Sequence, residues 1–266
     1  MGEQTEAVLV EQRGNTLLVT INRPEARNAI NRDVTVGIGD ALEHAEKQVD
    51  IRTVVLTGAG DKSFCAGADL KALARGESLL FDEGPRAAWG FAGYVSHHIS
   101  KPTIAAVNGT ALGGGTELVL ASDLVVAADT AVFGLPEVKR GLVAGAGGLF
   151  RLPAQLPPKV AMQLLVTGDP LTAREALDLH LVNSVVPADQ VLTAALELAE
   201  RINANAPLAV QASKRVAQGM IGGAIPAEAD SWALSADERT LVRSSNDAKE
   251  GPRAFAEKRE PVWTGT

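Results

Sequence analysis

Residues 103–118, TIAAVNGTALGGGTEL, join an apolar run to three consecutive glycines and a carboxylate. The apolar run favours a buried β-strand. Glycine loses more conformational freedom on folding than any other residue, so a triple run is costly unless bare backbone is needed there. We therefore expect the glycines to open a short helix that ends near Ser122 and carries Glu117 in its first turn.

Strand and helix signals alternate on both sides of this stretch. Residues 7–14 and 17–24 predict a tight hairpin, and apolar residues at helical spacing follow it. Residues 53–58 and 123–129 predict further buried strands. Because strands that alternate with helices are typical of parallel sheets, we expect an α/β core over residues 1–190.

The pattern becomes purely helical after about residue 190. Apolar residues recur every three or four positions in residues 191–202, 207–220 and 226–245. We expect residues 191–266 to form a C-terminal helical region that carries subunit contacts.

The composition is that of a globular protein. Among 266 residues, 46% are hydrophobic and 21% are charged, and the net charge is −7. This balance argues against disorder, against a membrane protein and against nucleic acid as the main partner. The single cysteine, Cys65, rules out an internal disulfide, and the acidic start has no secretion-signal layout, so we expect a cytoplasmic protein.

Several familiar catalytic motifs fail on inspection. GAGDKS at 58–63 has its lysine and hydroxyl out of register for a phosphate loop, and GAGGLF at 145–150 lacks the last glycine of a dinucleotide fingerprint. The four histidines have no metal-ligand spacing, and no G-x-S-x-G turn is present. The sequence therefore predicts no metal and no redox cofactor.

Glycine turns and carboxylates are the chemistry that remains. A helix that starts at bare glycines presents unpaired N–H groups to an approaching anion. FCAGADL at 64–70 is a second glycine turn that could add an N–H group from Ala68. Glu117 and Glu137 each lie beside a glycine or proline break in an apolar neighbourhood, so they could divide into a base and an acid.

Each of these acids also has a structural interpretation. Glu117 could be a first-turn acid favoured by the helix dipole, and Glu137 could be a solvated loop acid. Asp69 stands where helix caps are common, and we interpret Asp123 as structural too.

The motifs together resemble the enoyl-CoA hydratase/isomerase (crotonase) superfamily. The segments that carry the resemblance are FCAGADLK, AAVNGTALGGGTEL and FGLPEVKRGLVAGAGG, and the similarity extends from LLVTINRPEARNAI to GPRAFAEKREPVW. The resemblance implies a spiral of repeated β-β-α units. It also implies that residues 191–266 form trimers, which are commonly paired into hexamers.

The resemblance further implies the activity and the site. The substrate would be an acyl-CoA thioester whose oxygen is held by the backbone N–H groups of Ala68 and Gly114. Glu117 would activate water for attack at Cβ, and Glu137 would protonate Cα, giving syn hydration of a 2-enoyl-CoA. Coenzyme A would arrive with the substrate, without a metal or redox cofactor. The positions similar to family CoA contacts are Ala26, Arg27, Ala66, Asp69, Leu70, Phe255 and Lys258.

Other functions stay open at this point. The chain resembles the branch that contains carnitinyl-CoA dehydratases, which hydrate crotonobetainyl-CoA, and it also resembles actinobacterial hydratases of fatty or steroid side-chain breakdown. Double-bond isomerisation would keep the fold and usually depends on one dominant glutamate. A non-catalytic RNA-binding role is known for some relatives, but the net charge of −7 disfavours it. Lys258 could equally be a solvated helix charge.

Overall fold

The larger of two sheets runs through the centre of the molecule. The computed structural model describes residues 6–81 and 83–266, and this sheet has six strands within them. In spatial order they are β1 (Val8–Arg13), β2 (Thr16–Ile21), β3 (Thr53–Gly58), β5 (Thr103–Val107), β7 (Leu124–Ala128) and β10 (Ser184–Val186). β1 and β2 form the expected antiparallel hairpin, and the remaining neighbours are parallel. β3 and β5 are buried at every residue, as expected of parallel strands covered on both faces.

The second sheet repeats the order of the first. Its strands are β4 (Ser63–Cys65), β6 (Thr110–Leu112), β8 (Val132–Gly134) and β9 (Leu171–Thr172). Along the chain β3 is followed by β4, β5 by β6 and β7 by β8, and β4, β6 and β8 are neighbours just as β3, β5 and β7 are. Each passage of the chain therefore adds one strand to each sheet and then continues into helical structure. This is the predicted spiral of β-β-α units.

Helices follow the second strand of these units and fill the C-terminal part. They are α1 (Arg32–Lys47), α2 (Leu70–Ala74), α3 (Gly114–Ala121), α4 (Gly148–Gln155), α5 (Pro158–Thr167), α6 (Ala173–Asp178), α7 (Val191–Asn203), α8 (Pro207–Gln218), α9 (Ala229–Ser244) and α10 (Asp247–Glu257). α3 begins in the glycine run and ends one residue before Ser122, so that prediction is confirmed. α10 was not predicted, because Gly251 and Pro252 interrupt its helical signal.

α7 packs directly on the larger sheet. Val191, Ala195 and Ala199 are almost fully buried in the same core as the strands. At the end of the helix, the Asn203 amide donates to the Thr16 hydroxyl at 2.9 Å. A division of the chain at residue 190 stays a prediction. α7, which follows that position, shares the hydrophobic core of the strands.

Asp123 links α8 to the N-terminal ends of β5 and β7 in the larger sheet. Its carboxylate accepts a hydrogen bond from the Thr103 amide at 2.7 Å and pairs with Lys214 of α8 at 2.7 Å. The two charged side chains are only 14% and 9% exposed, so each depends on the other for its neutralisation. The structural interpretation of Asp123 agrees with this geometry.

Replacing Asp123 by alanine should therefore destabilise the protein strongly. Loss of one partner leaves the Lys214 ammonium buried without its counter-charge, which costs about 3–5 kcal/mol. The midpoint of denaturant unfolding measures this effect. Asp178→Ala is the matched control, because Asp178 pairs with Arg174 on the surface, where loss of the pair costs about 1 kcal/mol or less. Equal effects of the two substitutions would contradict the assignment.

Candidate active site

At each position of the run 113–115, a different steric constraint requires glycine. Gly113 has a φ of 55° and a ψ of −124°, a region that side chains avoid. A Cβ on Gly114 would overlap the Phe91 ring, and a Cβ on Gly115 would overlap the carbonyl of Cys65. The run therefore lacks side chains because an aromatic ring and a second stretch of backbone pack directly against it.

That second stretch is the turn at residues 65–68. Gly67 has a φ of 89°, and a Cβ placed on it would lie 3.1 Å from the amide nitrogen of Gly114. Ile30 uses the flanking groups, since its amide donates to the Gly67 carbonyl and its carbonyl accepts from the Asp69 amide. The amides of Ala68 and Gly114 donate no hydrogen bond within residues 6–81 and 83–266. The two predicted donors are thus free N–H groups on two adjacent turns of the backbone.

Glu117 lies in the first turn of α3 and is only 3% exposed. Its Oε1 accepts hydrogen bonds from the amides of Ala146 at 2.7 Å and Gly148 at 2.9 Å. Burial raises the pKa of the Glu117 carboxyl to about 7, and the two amides limit that rise because they stabilise the carboxylate. A first-turn acid that served only the helix dipole would be exposed to water, so the geometry favours the catalytic interpretation.

Glu137 lies in a 3₁₀ turn, Pro136–Arg140, that directly follows β8. Its Oε2 is buried and has no hydrogen-bond partner in the described part of the chain. Burial, and after it the nearby charge of Glu117, raise the pKa of Glu137 to about 8. Glu137 is therefore not a solvated loop acid.

The Glu137 carboxyl faces the glycine run. A Cβ on Gly113 would lie 3.0 Å from Glu137 Oε1, so that glycine also makes room for the carboxyl. The turn that carries Glu137 is in turn held by α10, because Gly251 packs so closely on Arg140 that a Cβ there would overlap its backbone. Two free amides and two buried carboxyls thus surround one point at the start of α3.

This arrangement suits a reaction that develops negative charge on an oxygen. Two fixed N–H donors stabilise such an oxyanion, and one donor of this kind contributes about 3–4 kcal/mol to lowering a barrier. The two carboxyls repel each other when both are ionised, and this repulsion contributes to the raised pKa of Glu137. The arrangement is therefore suited to supply oxyanion donors, a base and an acid at one place.

Five of the positions similar to family CoA contacts lie around the turn at 65–68. The Ala66 amide donates to the Arg27 carbonyl at 3.1 Å, which places Ala26 and Arg27 beside that turn. Asp69 caps α2 and pairs with Arg23 at 2.8 Å. Its carboxylate is thus occupied by Arg23 and the helix cap, whereas the Arg27 side chain is exposed. Leu70 is 54% exposed. Contact of any of these residues with CoA stays a prediction.

Phe255 and Lys258 lie elsewhere in the chain. Phe255 is on α10, where the Arg140 guanidinium stacks 4.1 Å from its ring centre, and Lys258 ends that helix with a φ of 54°. Within the described residues no hydrogen bond joins this end of α10 to the cluster at 65–70. Contact of Phe255 and Lys258 with CoA therefore also stays a prediction.

The sequence did not predict that the loop at 144–148 binds Glu117, nor that α9 covers this loop. This loop supplies both amides that bind Glu117, and it is covered by α9: a Cβ on Gly147 would lie 3.3 Å from the Trp232 ring. The glycines at 145, 147 and 148 were a usable signal, but they were tested only as a dinucleotide motif. Phe91 and Arg239, which also border the site, had no local signal.

Two other kinds of feature are absent from the part of the chain that the structure describes. Over residues 6–81 and 83–266, no helix is long and apolar enough to cross a membrane. No group of three or more His, Cys, Asp or Glu side chains is placed to hold a metal ion in the same part of the chain.

Comparisons with known proteins agree on one family. The family model described as enoyl-CoA hydratase/isomerase matches residues 11–266. A carnitinyl-CoA dehydratase of Salmonella paratyphi A is 41% identical over 265 residues, which cover 98% of this chain and 99% of the relative.

Solved structures give the same result. A carnitinyl-CoA hydratase from Mycobacterium avium superposes with a TM-score of 0.96 at 62% identity, covering 99% of this chain and 100% of that one. An enoyl-CoA hydratase from Mycobacterium marinum superposes with a TM-score of 0.77 at 48% identity, covering 98% and 100%.

The raised pKa of Glu137 predicts a pH-dependent cost of folding. The folded state holds this proton up to about pH 8, whereas the ordinary value is 4.5, so the wild type loses stability as the pH rises from 4.5 through 8. Glu137→Gln removes the titration. The variant should gain on the order of 2–4 kcal/mol over the wild type above pH 8 and little below pH 5.

Unfolding midpoints of both proteins across this pH range measure the difference. Glu197→Gln is the control, because Glu197 is exposed on α7 and should show no such trend. A constant difference between Glu137→Gln and the wild type at all pH values would show that Glu137 is not a buried, neutral acid.

Proposed function

This chain belongs to the enoyl-CoA hydratase/isomerase family, and from that premise we propose that it adds water across the double bond of a 2-enoyl-CoA. The observation that carries the proposal is the convergence of two buried carboxyls on two free backbone amides. A family member that needed one glutamate alone, as in double-bond isomerisation, would have no use for the second buried acid. The product is a 3-hydroxyacyl-CoA.

Each group has a defined task in the proposed reaction. Glu117 accepts a proton from water while the water oxygen bonds to Cβ, and the electron pair of the double bond moves onto the thioester oxygen. The amides of Ala68 and Gly114 stabilise that oxyanion. Glu137 then delivers its proton to Cα as the thioester carbonyl re-forms. The pKa values of about 7 and about 8 suit this exchange near neutral pH.

The proposed hydration requires neither a metal nor a redox cofactor, because acid, base and oxyanion donors all belong to the chain. Coenzyme A enters as part of the substrate. A cytoplasmic location remains a prediction, supported by the single, buried cysteine. The net charge of −7 continues to weigh against an RNA-binding role.

Carnitinyl-CoA dehydration is the second candidate. It is favoured by the names of the Salmonella and Mycobacterium avium relatives, which are 41% and 62% identical to this chain. It uses the same catalytic groups in the reverse direction and differs only in the acyl group. The choice between the two therefore depends on the part of the site beyond Cβ.

Purified protein should consume but-2-enoyl-CoA, as followed by the loss of the conjugated enone absorbance. Glu117→Gln and Glu137→Gln should each lower kcat by about 10²- to 10⁴-fold, since each removes one proton-transfer group. Binding of CoA should change little in either variant. Glu197→Gln on the exposed face of α7 should keep wild-type rates. Wild-type turnover by either active-site variant would show that its role is misassigned.

We also propose that the C-terminal helices assemble the protein into trimers, with hexamers as pairs of trimers. Large apolar side chains are exposed along them, among them Leu208 and Val216 of α8 and Leu234 and Leu241 of α9. Leu234 and Leu241 are 63% and 67% exposed and stand seven residues apart, which puts them on one face of α9. Such a face is covered in most proteins by a partner surface.

The double substitution Leu234→Asp and Leu241→Asp should dissociate this assembly, because it places two charges in an apolar contact. Light scattering coupled to size-exclusion chromatography gives the mass directly. Val49→Asp is the control, since Val49 is 91% exposed but lies outside the C-terminal helices. A wild-type monomer, or a trimer that the double variant leaves intact, would refute the proposal.

A further inference from the structure

α9 places two side chains over the loop that binds Glu117. Trp232 covers Gly147, and Arg239 crosses Gly145, where a Cβ would lie 2.9 Å from Arg239 Cδ. The two residues are seven apart, so they share the face of α9 that looks onto the loop. The stem of Arg239 therefore passes one residue away from Ala146, whose amide binds the Glu117 carboxylate.

Arg239 differs from its neighbour Arg151 in forming no direct ion pair within the described residues. Arg151 donates to both oxygens of Glu228, at 2.9 and 2.7 Å, and to the Val95 carbonyl at 2.8 Å. Arg239 is half-buried and forms no hydrogen bond or ion pair across residues 6–81 and 83–266. A half-buried guanidinium with five unused donors is ready to bind an anion.

The position of Arg239 relative to a bound substrate follows from the catalytic groups. The thioester oxygen lies at the amides of Ala68 and Gly114, and Cβ must lie between the two carboxyls. The loop at 144–148 binds the Glu117 carboxylate, so a substituent on the next carbon, C4, can approach that loop when Cβ lies beside Glu117. The charge of Arg239 reaches the Glu117 carboxyl, because it is among the groups that lower the pKa of Glu117 against the effect of burial.

We infer that Arg239 is a specificity-determining residue, which makes the site favour acyl groups with a carboxylate beyond Cβ over acyl groups with a quaternary ammonium. The inference rests on the proposed function, since it assumes an acyl-CoA bound with its thioester oxygen at Ala68 and Gly114. It deepens that function by naming the charge of the acyl group, and it argues against the second candidate, because a carnitinyl group carries a quaternary ammonium.

Aromatic rings in the same place do not reverse this preference. Trp232 and Phe150 pack edge to face, and such rings can bind a quaternary ammonium. The Arg151 guanidinium, however, already lies 5.3 Å from the Trp232 ring centre and 5.6 Å from that of Phe150. The cation site of these rings is thus occupied, and Arg239 adds a second positive charge beside it.

Binding of unreactive acyl-CoAs tests Arg239 without relying on turnover. The probes are 4-carboxybutanoyl-CoA, 4-(trimethylammonio)butanoyl-CoA and, as the uncharged isostere of the second, 5,5-dimethylhexanoyl-CoA. Calorimetry gives the dissociation constant of each. In the wild type the carboxylate should bind at least ~10-fold more tightly than the trimethylammonium, a difference that a partly desolvated charge pair supplies.

The Arg239 variants should change this ratio in a graded way. Arg239→Gln should bring the ratio of the two charged probes to within ~3-fold of one, and Arg239→Glu should reverse it, because the sign of the charge decides it. Arg243→Gln is the matched control: Arg243 lies one turn further along α9, is exposed, and should leave the ratio unchanged.

The outcomes separate the inference from the proposed function. A wild type that binds the trimethylammonium probe best, or an Arg239→Gln variant with an unchanged ratio, overturns the role of Arg239 even if but-2-enoyl-CoA is hydrated. Absence of hydration together with the predicted ratios overturns the hydratase proposal and leaves the charge preference standing.

Discussion

The contact between two glycine turns is the constraint on which the site depends. The turns at 65–68 and 113–115 approach so closely that a Cβ on either side would meet backbone of the other. The approach is possible because β4 and β6, which precede these turns, are neighbouring parallel strands of the smaller sheet. Parallel strands end at the same edge, so the free amides of Ala68 and Gly114 are brought together by the sheet itself.

Burial of the two glutamates lowers the stability of the fold near neutral pH, and it raises their pKa values into the range where they can exchange protons. Glu117 and Glu137 are both held at raised pKa values, which means that the folded protein stabilises their neutral forms. The site tolerates this because the two acids differ in their partners. Glu117 receives two backbone amides, whereas one oxygen of Glu137 has none in the described chain. The two amides oppose the effect of burial on Glu117, whereas the charge of Glu117 adds to the effect of burial on Glu137, so the pKa of Glu117 is the lower of the two.

The parts of the fold and site that could be predicted are those encoded in a few neighbouring residues. β3 and β5 are mainly apolar runs, and the start of α3 is marked by glycines, so local patterns suffice for them. The roles of Ala68 and Glu137 depend on which strands become neighbours. Local patterns marked both residues as candidates, whereas their assignment to one site with defined roles came from the family resemblance.

What escaped prediction depends on contacts between distant segments. Arg239 lies more than 90 positions from Gly145 in the chain, and nothing in its own surroundings marks it as part of a site. α10 was missed because its glycine and proline weaken the helical signal, yet Gly251 is what allows the helix to approach the backbone of Arg140. The residue that obscures the element is the one that the packing requires.

The C-terminal helices are therefore part of the active site as well as a candidate assembly surface. α10 supports the turn that carries Glu137, and α9 covers the loop that binds Glu117. The spiral core supplies the oxyanion donors and both carboxyls, which any 2-enoyl thioester needs. The face of α9 that carries Trp232 and Arg239 lies over that loop, so a substitution on this face can alter the surroundings of Glu117 without touching the spiral core. Leu234 and Leu241 project from other positions of the helix and remain exposed, available for subunit contacts.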